Sequence, residues 1–564
     1  METTEQVTRY FSGFSSGRPR FPAPLQDLAR REGDEAAWRA LLSSASSVAE
    51  RMAAIAKVDG DFAFFVTLES GLQIGACDRM AIQPLCYRVD GGQLRCDPRA
   101  DRLADAGQAI SAQSIYDYLF FHMIPAPRTI FEGIARLPAG HCVEVQDGKT
   151  QVSAYWTPTF APRASADFKT EADEFRSILS AAVKEDMGDA APACFLSGGT
   201  DSSSVAGMLS RHFGGDATAY SIGFEAEGYD EMEYARLTAK HFGIRHREYY
   251  VTPDDLLQSM PTVAAFHDQP FGNSSAVPAY YCARMAASDG VTRLLAGDGG
   301  DELFGGNTRY AKQRVFGWWQ NVPGFLRRPL EPVIDSAPMR AVPLLRKAAS
   351  YVEQAASPMP DRLLKYNLLL HVGAANIFSP ALLSQIDTGL GLQLQRQVWS
   401  ATKAEGDLDR NLGFDWRFTL ADNDLPKVRE AAGMAGVGVA FPFLDRAMID
   451  FSARLPSDYK LRGFQLRWFF KEALRGFLHD DTITKKKQGF GLPFGTWLNR
   501  NAAMQKMARE ALDSLAARGV ILPGLPAQLM TELLPSHPHY FGELVWLLSM
   551  LEFWLQAHAP HHKL

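Results

Sequence analysis

Two glycine-rich stretches hold the residues whose types and spacing suit chemistry. The first is Ala193-Cys194-Phe195-Leu196-Ser197-Gly198-Gly199-Thr200-Asp201-Ser202-Ser203. An apolar run ends there in a Gly-Gly turn. Apolar residues then recur at Val205, Met208, Leu209 and Phe213, the spacing of a helix face. A strand, a tight turn and a helix N-terminus in that order expose backbone N–H groups with no intrahelical partner. The helix dipole adds partial positive charge, so a pyrophosphate fits. Gly198 and Gly199 let the backbone approach the anion, and Ser197, Thr200, Ser202 and Ser203 bring hydroxyls. Asp201 brings a carboxylate for a Mg²⁺ that bridges phosphate oxygens.

The second stretch is Ala296-Gly297-Asp298-Gly299-Gly300-Asp301-Glu302-Leu303-Phe304-Gly305-Gly306, directly after the apolar residues 291–295. Three carboxylates on a glycine-rich loop at a strand's C-terminal end are what a second metal-anchoring loop contains, because ligands of open α/β sheets bind at that edge. An ordinary turn is a common reading of either loop taken alone. Two of them, each after a buried strand, point to one anion and metal site. Gly297 and Gly299 would line it, and Asp201 and Asp301 would hold the metal. A later helix pattern carries Arg467 and Lys471, and a basic run, Lys485-Lys486-Lys487-Gln488-Gly489-Phe490, follows. By itself that run reads as a solvated charge cluster.

The elements that must position these loops follow from periodicity. After irregular residues marked by Pro19, Pro22 and Pro24, residues 34–51 have the Ala-rich character of a helix. Phe62, Phe64 and Val66 alternate with smaller neighbours, Gly71 marks a turn, and Leu72, Ile74 and Ala76 alternate again, so a hairpin is expected. Further strands are expected at 86–89 and 141–145, with a helix at 114–122 between them. Residues 157–170, with Pro158 and Pro162, read as an inter-domain linker. Beyond it, helices at 171–184 and 233–242 alternate with strands at 193–196, 219–224, 246–251 and 291–295, the pattern of a doubly wound parallel sheet. Residues 307–410 look mostly helical with breaks at Pro323, Pro329, Pro332 and Pro338, residues 546–554 read as a core helix, and the His561-His562 tail as a solvated end.

With 46% hydrophobic and 22% charged residues, the chain of 564 residues has the makeup of an ordinary soluble protein of more than one domain. A formal net charge of −6 argues against nucleic acid as the main substrate. Six cysteines without C-x-x-C spacing suit a reducing compartment better than disulfides or zinc. No signal segment is evident, and no apolar run reaches the roughly 18 residues of a membrane span. A cytoplasmic protein without membrane attachment is the expectation.

Two sets of motifs resemble the asparagine synthetase family. Asp59-Gly60-Asp61-Phe62-Ala63-Phe64, Cys77-Asp78-Arg79-Met80, Gln83-Pro84-Leu85, residues 128–134, Leu137-Pro138-Ala139-Gly140-His141 and Tyr155-Trp156 are similar to its glutaminase-type N-terminal domain. The two glycine loops and the region from about residue 168 onward resemble its ATP-pyrophosphatase (synthetase) domain, shared with β-lactam synthetases and lasso-peptide macrolactam synthetases. The resemblance implies an α/β protein: residues 1–160 a glutaminase-like α+β sandwich, residues 168–564 a doubly wound parallel-sheet synthetase domain with large helical additions. It implies ATP and Mg²⁺ as cofactors, with Asp201 and Asp301 on the metal and Lys471 gripping the leaving pyrophosphate. Lys487, placed by its Lys-x-Gly-Phe context, would stabilise acyl transfer, and Asp298 and Glu302 are candidates for the amine's base.

Departures from the family pattern narrow the chemistry. The family's glutaminase nucleophile is a cysteine after the initiator methionine, whereas Glu2 stands here and the first cysteine is Cys77. A glutaminase-like domain without its thiolate is therefore expected, serving as a structural relic or docking surface. A Glu and an Arg usual before the family's Pro-Phe-Leu-Asp segment are replaced by Gly438 and Ala440, and the β-lactam synthetases' tyrosine is replaced by Asp298. The resulting expectation is an AMP-forming amide ligase acting through an acyl-adenylate. Its substrate would be a precursor peptide whose Asp or Glu side chain is joined to the peptide's own N-terminal amine, with a leader-binding protein and a leader peptidase as companions. The alternatives are an ammonia-dependent asparagine synthetase-like enzyme, a β-lactam-type small-molecule cyclase and a non-catalytic scaffold.

Overall fold

A computed structural model describes the chain except residues 1–12, 165, 227, 322, 324, 326–350 and 486–490. Glu2, Pro329, Pro332, Pro338 and Lys487 thus lie outside the described residues.

The N-terminal part contributes eight strands: β1 Gly13–Gly17, β2 Phe62–Thr67, β3 Gln73–Cys77, β4 Cys86–Asp90, β5 Gln93–Asp97, β6 Ala135–Arg136, β7 His141–Gln146 and β8 Lys149–Ala154. An antiparallel sheet runs β1-β2-β3-β7-β8, and a smaller one runs β5-β4-β6. Period-two alternation sends Phe62, Phe64, Val66, Ile74 and Ala76 toward Trp38, Leu42 and Ile55 of the flanking helices. Their neighbours Ala63, Phe65, Cys77 and Val143 meet Leu94 and Cys96 of the second sheet and Leu85 just before it. The expected hairpin is present, but both its faces are buried. The single helix read over 34–51 is two, Asp34–Ser43 and Val48–Ile55; Ser47 caps the second by accepting from the Glu50 N–H, which ends the run.

The second unit is built on β9 Ala193–Phe195, β10 Thr218–Phe224, β11 Arg245–Val251, β12 Arg293–Leu295 and β13 Gly438–Ala440, all parallel in the order β11-β10-β9-β12-β13. Both faces are covered. Ala193 and Leu294 join a core with Cys282, Ala286 and Ala432, while Cys194 and Leu295 join Phe175, Val205 and Leu209 on the other side. β9, β10 and β11 progress outward in one direction, and β12 then returns to the opposite side of β9. The topological switch therefore falls between β9 and β12, where ligand crevices form. Strand β13 was not anticipated, since three residues, Gly438, Val439 and Ala440, are too short for a periodic signal.

A two-stranded hairpin, β14 Leu461–Arg462 with β15 Gln465–Leu466, lies beyond the sheet. The C-terminal helix Pro538–His558 is buried along most of its length, as residues 546–554 led one to expect. The tail after it is not a free end. Arg518 Nη1 donates to the His562 carbonyl at 3.0 Å, and the Leu564 N–H donates to the Arg518 carbonyl at 2.9 Å, so an arginine that needs acceptors holds the last residues down. Residues 157–164 are likewise anchored: Phe160 is buried against Trp416, and its N–H donates to the Lys403 carbonyl.

Candidate functional site

Because β9 and β12 are neighbours, the loops that follow them emerge side by side at the sheet's C-terminal edge. Their contact is close: a Cβ on Gly297 would stand 2.7 Å from the Ser202 nitrogen. Gly198 adopts φ +76, and a Cβ there would meet the Ala235 nitrogen at 2.6 Å and Tyr234 Cβ at 2.7 Å, so only glycine makes this turn. The helix Thr200–Phe213 then starts from Gly199 without any side-chain cap, leaving its first N–H groups to a ligand. Ser202 Oγ accepts from the Ser197 N–H at 3.1 Å and lies 3.0 Å from Ser197 Oγ, which closes the turn on itself.

The cleft above these loops encloses about 1040 Å³. Ser197, Gly199, Thr200, Asp201 and Ser202 line it from one loop, and Gly297, Asp298, Gly299, Asp301 and Glu302 from the other. Lys471 reaches it from the helix Trp468–Ala473. Gly198 shapes the turn without lining the cleft. Ser203, expected among the ligand-binding hydroxyls, is fully buried and lies 3.0 Å from Thr238 Oγ1. It is one helical position past the exposed face, so it serves helix packing.

Asp201 and Asp301 come together, and what joins them is Arg467. Its Nη1 donates to Asp201 Oδ2 at 2.9 Å and to Asp301 Oδ1 at 2.6 Å, and its Nη2 donates to Asp201 Oδ1. The guanidinium also stacks over Phe470 at 4.2 Å. Burial works against its charge, but the two aspartates outweigh burial and raise its pKa above the arginine value. Glycines make room for the carboxylates, since a Cβ on Gly300 or Gly306 would collide with Asp201 or Asp301 respectively. Burial and then the neighbouring Arg467 push Lys471 below the usual lysine value, and the two aspartates only partly restore it.

A guanidinium held by two carboxylates is a cation site, and this tests the fit of Mg²⁺. Among the described residues no cluster of three or more His, Cys, Asp or Glu converges to hold a metal. Two carboxylates beside an anion-binding helix N-terminus match a Mg²⁺ that takes its remaining ligands from phosphates and water. The donor set thus fits a metal that arrives with a nucleotide.

Asp298 does not join that group. Its carboxylate faces Lys427, whose Nζ lies 3.4 Å from Asp298 Oδ1 and 3.0 Å from Asp424 Oδ1. On the far wall Lys485 Nζ is 2.7 Å from Glu231 Oε1 and 4.2 Å from the Tyr234 ring centre, so the first lysine of the basic run is a buried partner, not a solvated charge. Sequence reasoning passed over Arg467, Lys427 and Lys485 as site residues. The available signals were positional. Arg467, which the structure places just before the helix Trp468–Ala473 and not within it, precedes Lys471 by four, and Lys427 follows Asp424 by three.

Residues 174–556 match the asparagine synthase family, and residues 41–156 match the glutamine amidotransferase domain. Among curated proteins the chain is 24% identical over 455 residues to asparagine synthetase [glutamine-hydrolyzing] 1 of Bacillus subtilis, covering 79% of this chain and 70% of that one. It is 24% identical over 504 residues to a putative asparagine synthetase [glutamine-hydrolyzing] of Mycobacterium tuberculosis, covering 86% and 74%. A putative asparagine synthetase [glutamine-hydrolyzing] 2 of Methanocaldococcus jannaschii is 30% identical over 285 residues, covering 48% and 54%.

Proposed function

Since the chain belongs to the asparagine synthase family, ATP-dependent carbon–nitrogen ligases that release AMP, we propose that it activates a peptide carboxylate and closes it onto the peptide's own N-terminal amine. A carboxylate and an amine do not condense at neutral pH until the carboxylate oxygen becomes a good leaving group. Attack of that carboxylate on the α-phosphorus of ATP provides one, as an acyl-adenylate. In this reading the turn at Ser197–Gly199 and the N–H groups of the following helix hold the phosphates, and Asp201 and Asp301 hold Mg²⁺, which supplies charge neutralisation for the departing pyrophosphate. Arg467 and Lys471 supply further positive charge at the same place. Asp298 accepts the amine's proton.

The observation that carries the amine source is the state of the cysteines. All six are buried. Burial pushes the thiols of Cys77, Cys86 and Cys194 up to about 12, and those of Cys96, Cys142 and Cys282 above the ordinary thiol value as well. None of them is the accessible thiolate that glutamine hydrolysis needs. An amine supplied by the substrate or by solution is consistent with that, and a cleft at the top of the ordinary range of about 300–1,000 Å³ leaves space for more than a nucleotide.

A second reading is an ammonia-dependent asparagine synthetase-like enzyme: the relatives' names favour asparagine formation, and the buried cysteines favour ammonia over glutamine as its nitrogen source. One experiment separates the two. Purified protein with ATP and Mg²⁺ is offered either L-aspartate with ammonium, or precursor-type peptides with a free N-terminus and one Asp or Glu. Dehydration of a peptide with pyrophosphate release, stopped by N-acetylation, supports ring closure. Asparagine formation without any peptide dehydration selects the second reading.

A further inference from the structure

The loop after β12 serves two ends of the cleft. Asp301 turns to Arg467, whereas Asp298, three residues earlier, faces Lys427. The segment that brings Lys427 is unusual: a π-helical run, Trp416–Asp424, feeds the α-helix Leu425–Met434. In a π-helix residues five apart share a face, and Thr419 and Asp424 both line the cleft. Lys427 follows on that face and holds Asp424 and Asp298 together, one ammonium shared by two carboxylates. Asn273 Nδ2 adds a contact of 3.5 Å to Asp424 Oδ1.

Lys427 and Asp424 are the charged side chains that act most strongly on Asp298. The helix Ala276–Ser288 and its cap bring Ser275, Pro278 and Ala279, and the loop's other carboxylates, Asp301 and Glu302, act on Arg467. Burial raises the Asp298 carboxyl above its ordinary value; Lys427 opposes that rise and Asp424 adds to it. Lys427 keeps its charge despite burial because the two aspartates outweigh the desolvation.

We infer that Lys427 is a positioning residue for amine transfer: it holds the Asp298 carboxylate ionised at the cleft wall, and Asp424, sharing the same ammonium, limits that hold. The inference rests on the ligase reading above. In the transfer step the amine lone pair forms the C–N bond and the acyl C–O bond breaks. Its electron pair leaves with AMP, and the surplus proton on nitrogen passes to Asp298. The carboxylate must be ionised to receive it, yet not so firmly paired that it refuses the proton.

The test uses the full-length protein with ATP, Mg²⁺ and either L-aspartate or a short N-acetylated peptide bearing one glutamate, with methylamine as acceptor. Two rates are followed against pH: pyrophosphate exchange, which precedes amine attack, and amide formation. Wild type and variants meet the same amine, so its own titration cancels in the comparison. Lys427→Met removes the cation, so the acid limb of amide formation should move up by about one pH unit or more. Asp424→Asn removes a like charge, so the limb should move down, and Lys427→Arg should restore the wild-type limb. The acid limb of exchange should stay in place throughout. Opposite shifts confined to amide formation are something a merely structural role would not produce. Equal shifts in exchange and amide formation overturn the inference, as do limbs unmoved in both variants. If Lys427→Met does not fold, the sign of the Asp424→Asn shift decides alone. Absence of exchange in wild type with either carboxylate defeats the ligase reading, and the inference with it.

Discussion

At the scale of single residues, the central fact is that one arginine occupies the point on which Asp201 and Asp301 converge. Arg467 sits at φ +56, a left-handed conformation that non-glycine residues adopt at a cost of order 1–3 kcal/mol. That cost is offset by three charge-assisted hydrogen bonds and by stacking on Phe470. Without a cation two partly buried carboxylates would repel, and the Arg467 guanidinium supplies that cation. Asp201→Asn or Asp301→Asn removes one charge at constant volume. Carboxylate-dependent pyrophosphate release should fall by about 10²–10³ while circular dichroism stays unchanged; release at the wild-type rate in both variants would remove the pair from the metal's coordination. Arg467→Met makes a separate point. It should lower Tm in the absence of divalent ions, because it leaves the carboxylates uncompensated, and should make Tm rise with Mg²⁺ more steeply than in wild type. A Tm insensitive to Mg²⁺ in that variant would show that the aspartates do not form a cation site.

At the scale of elements, the loops are held by the sheet more than by themselves. Gly198→Ala places a Cβ against the Ala235 backbone and demands positive φ of alanine. It should cost about 1–3 kcal/mol and, by opening the turn, abolish the rise in Tm that ATP with Mg²⁺ gives wild type. An undiminished rise would mean that the turn does not hold the phosphates. This part of the site was legible in the sequence: Ser197–Ser202 and Gly297–Glu302 each follow a short apolar strand, and glycine at those offsets has one economical explanation. The switch point between β9 and β12 was not legible, because strand order is a property of non-local pairing such as Leu295 opposite Cys194. For the same reason Arg467, Lys427 and Lys485 escaped notice. Each is an ordinary basic residue on its own helix or loop until the fold supplies its carboxylate. The π-helical run Trp416–Asp424 has no compositional mark either.

At the scale of the whole molecule, the glutaminase-like part and the synthetase part are joined through a common interior. Tyr116, Phe120 and Phe131 belong to the same apolar cluster as Phe378, Leu512 and Trp554, and Tyr118 Oη donates to the Leu547 carbonyl at 2.9 Å. His267 and Asp268 lie in this seam. Burial pushes His267 down to about 4, so the native state keeps it neutral. A lowered folded pKa means a contribution that is complete above the unfolded value of about 6.5 and is lost as pH falls toward 4, worth roughly 3 kcal/mol. Denaturant midpoints should decline across that window, and His267→Gln should flatten the decline; an equal slope in the variant would assign the effect elsewhere. Asp268 is the more severe case. Arg136 Nη2 donates to its two oxygens at 3.3 and 3.2 Å, and the Ala100 N–H donates to it at 3.0 Å. Burial alone would raise the Asp268 carboxyl, yet these partners hold it below the ordinary carboxylate value, so the charge persists at neutral pH. Arg136→Met therefore strands a buried anion and should cost about 3–5 kcal/mol, more than the lost attraction itself would suggest. Adding Asp268→Asn removes the stranded charge while keeping an oxygen for Ala100, so the double variant should recover most of the loss. Because the interior is shared, both variants should unfold in a single transition whether fluorescence or far-ultraviolet dichroism is followed. Two separate transitions, or a cost for Arg136→Met below about 1 kcal/mol, would mean that the pair is a surface-like contact between independently stable halves.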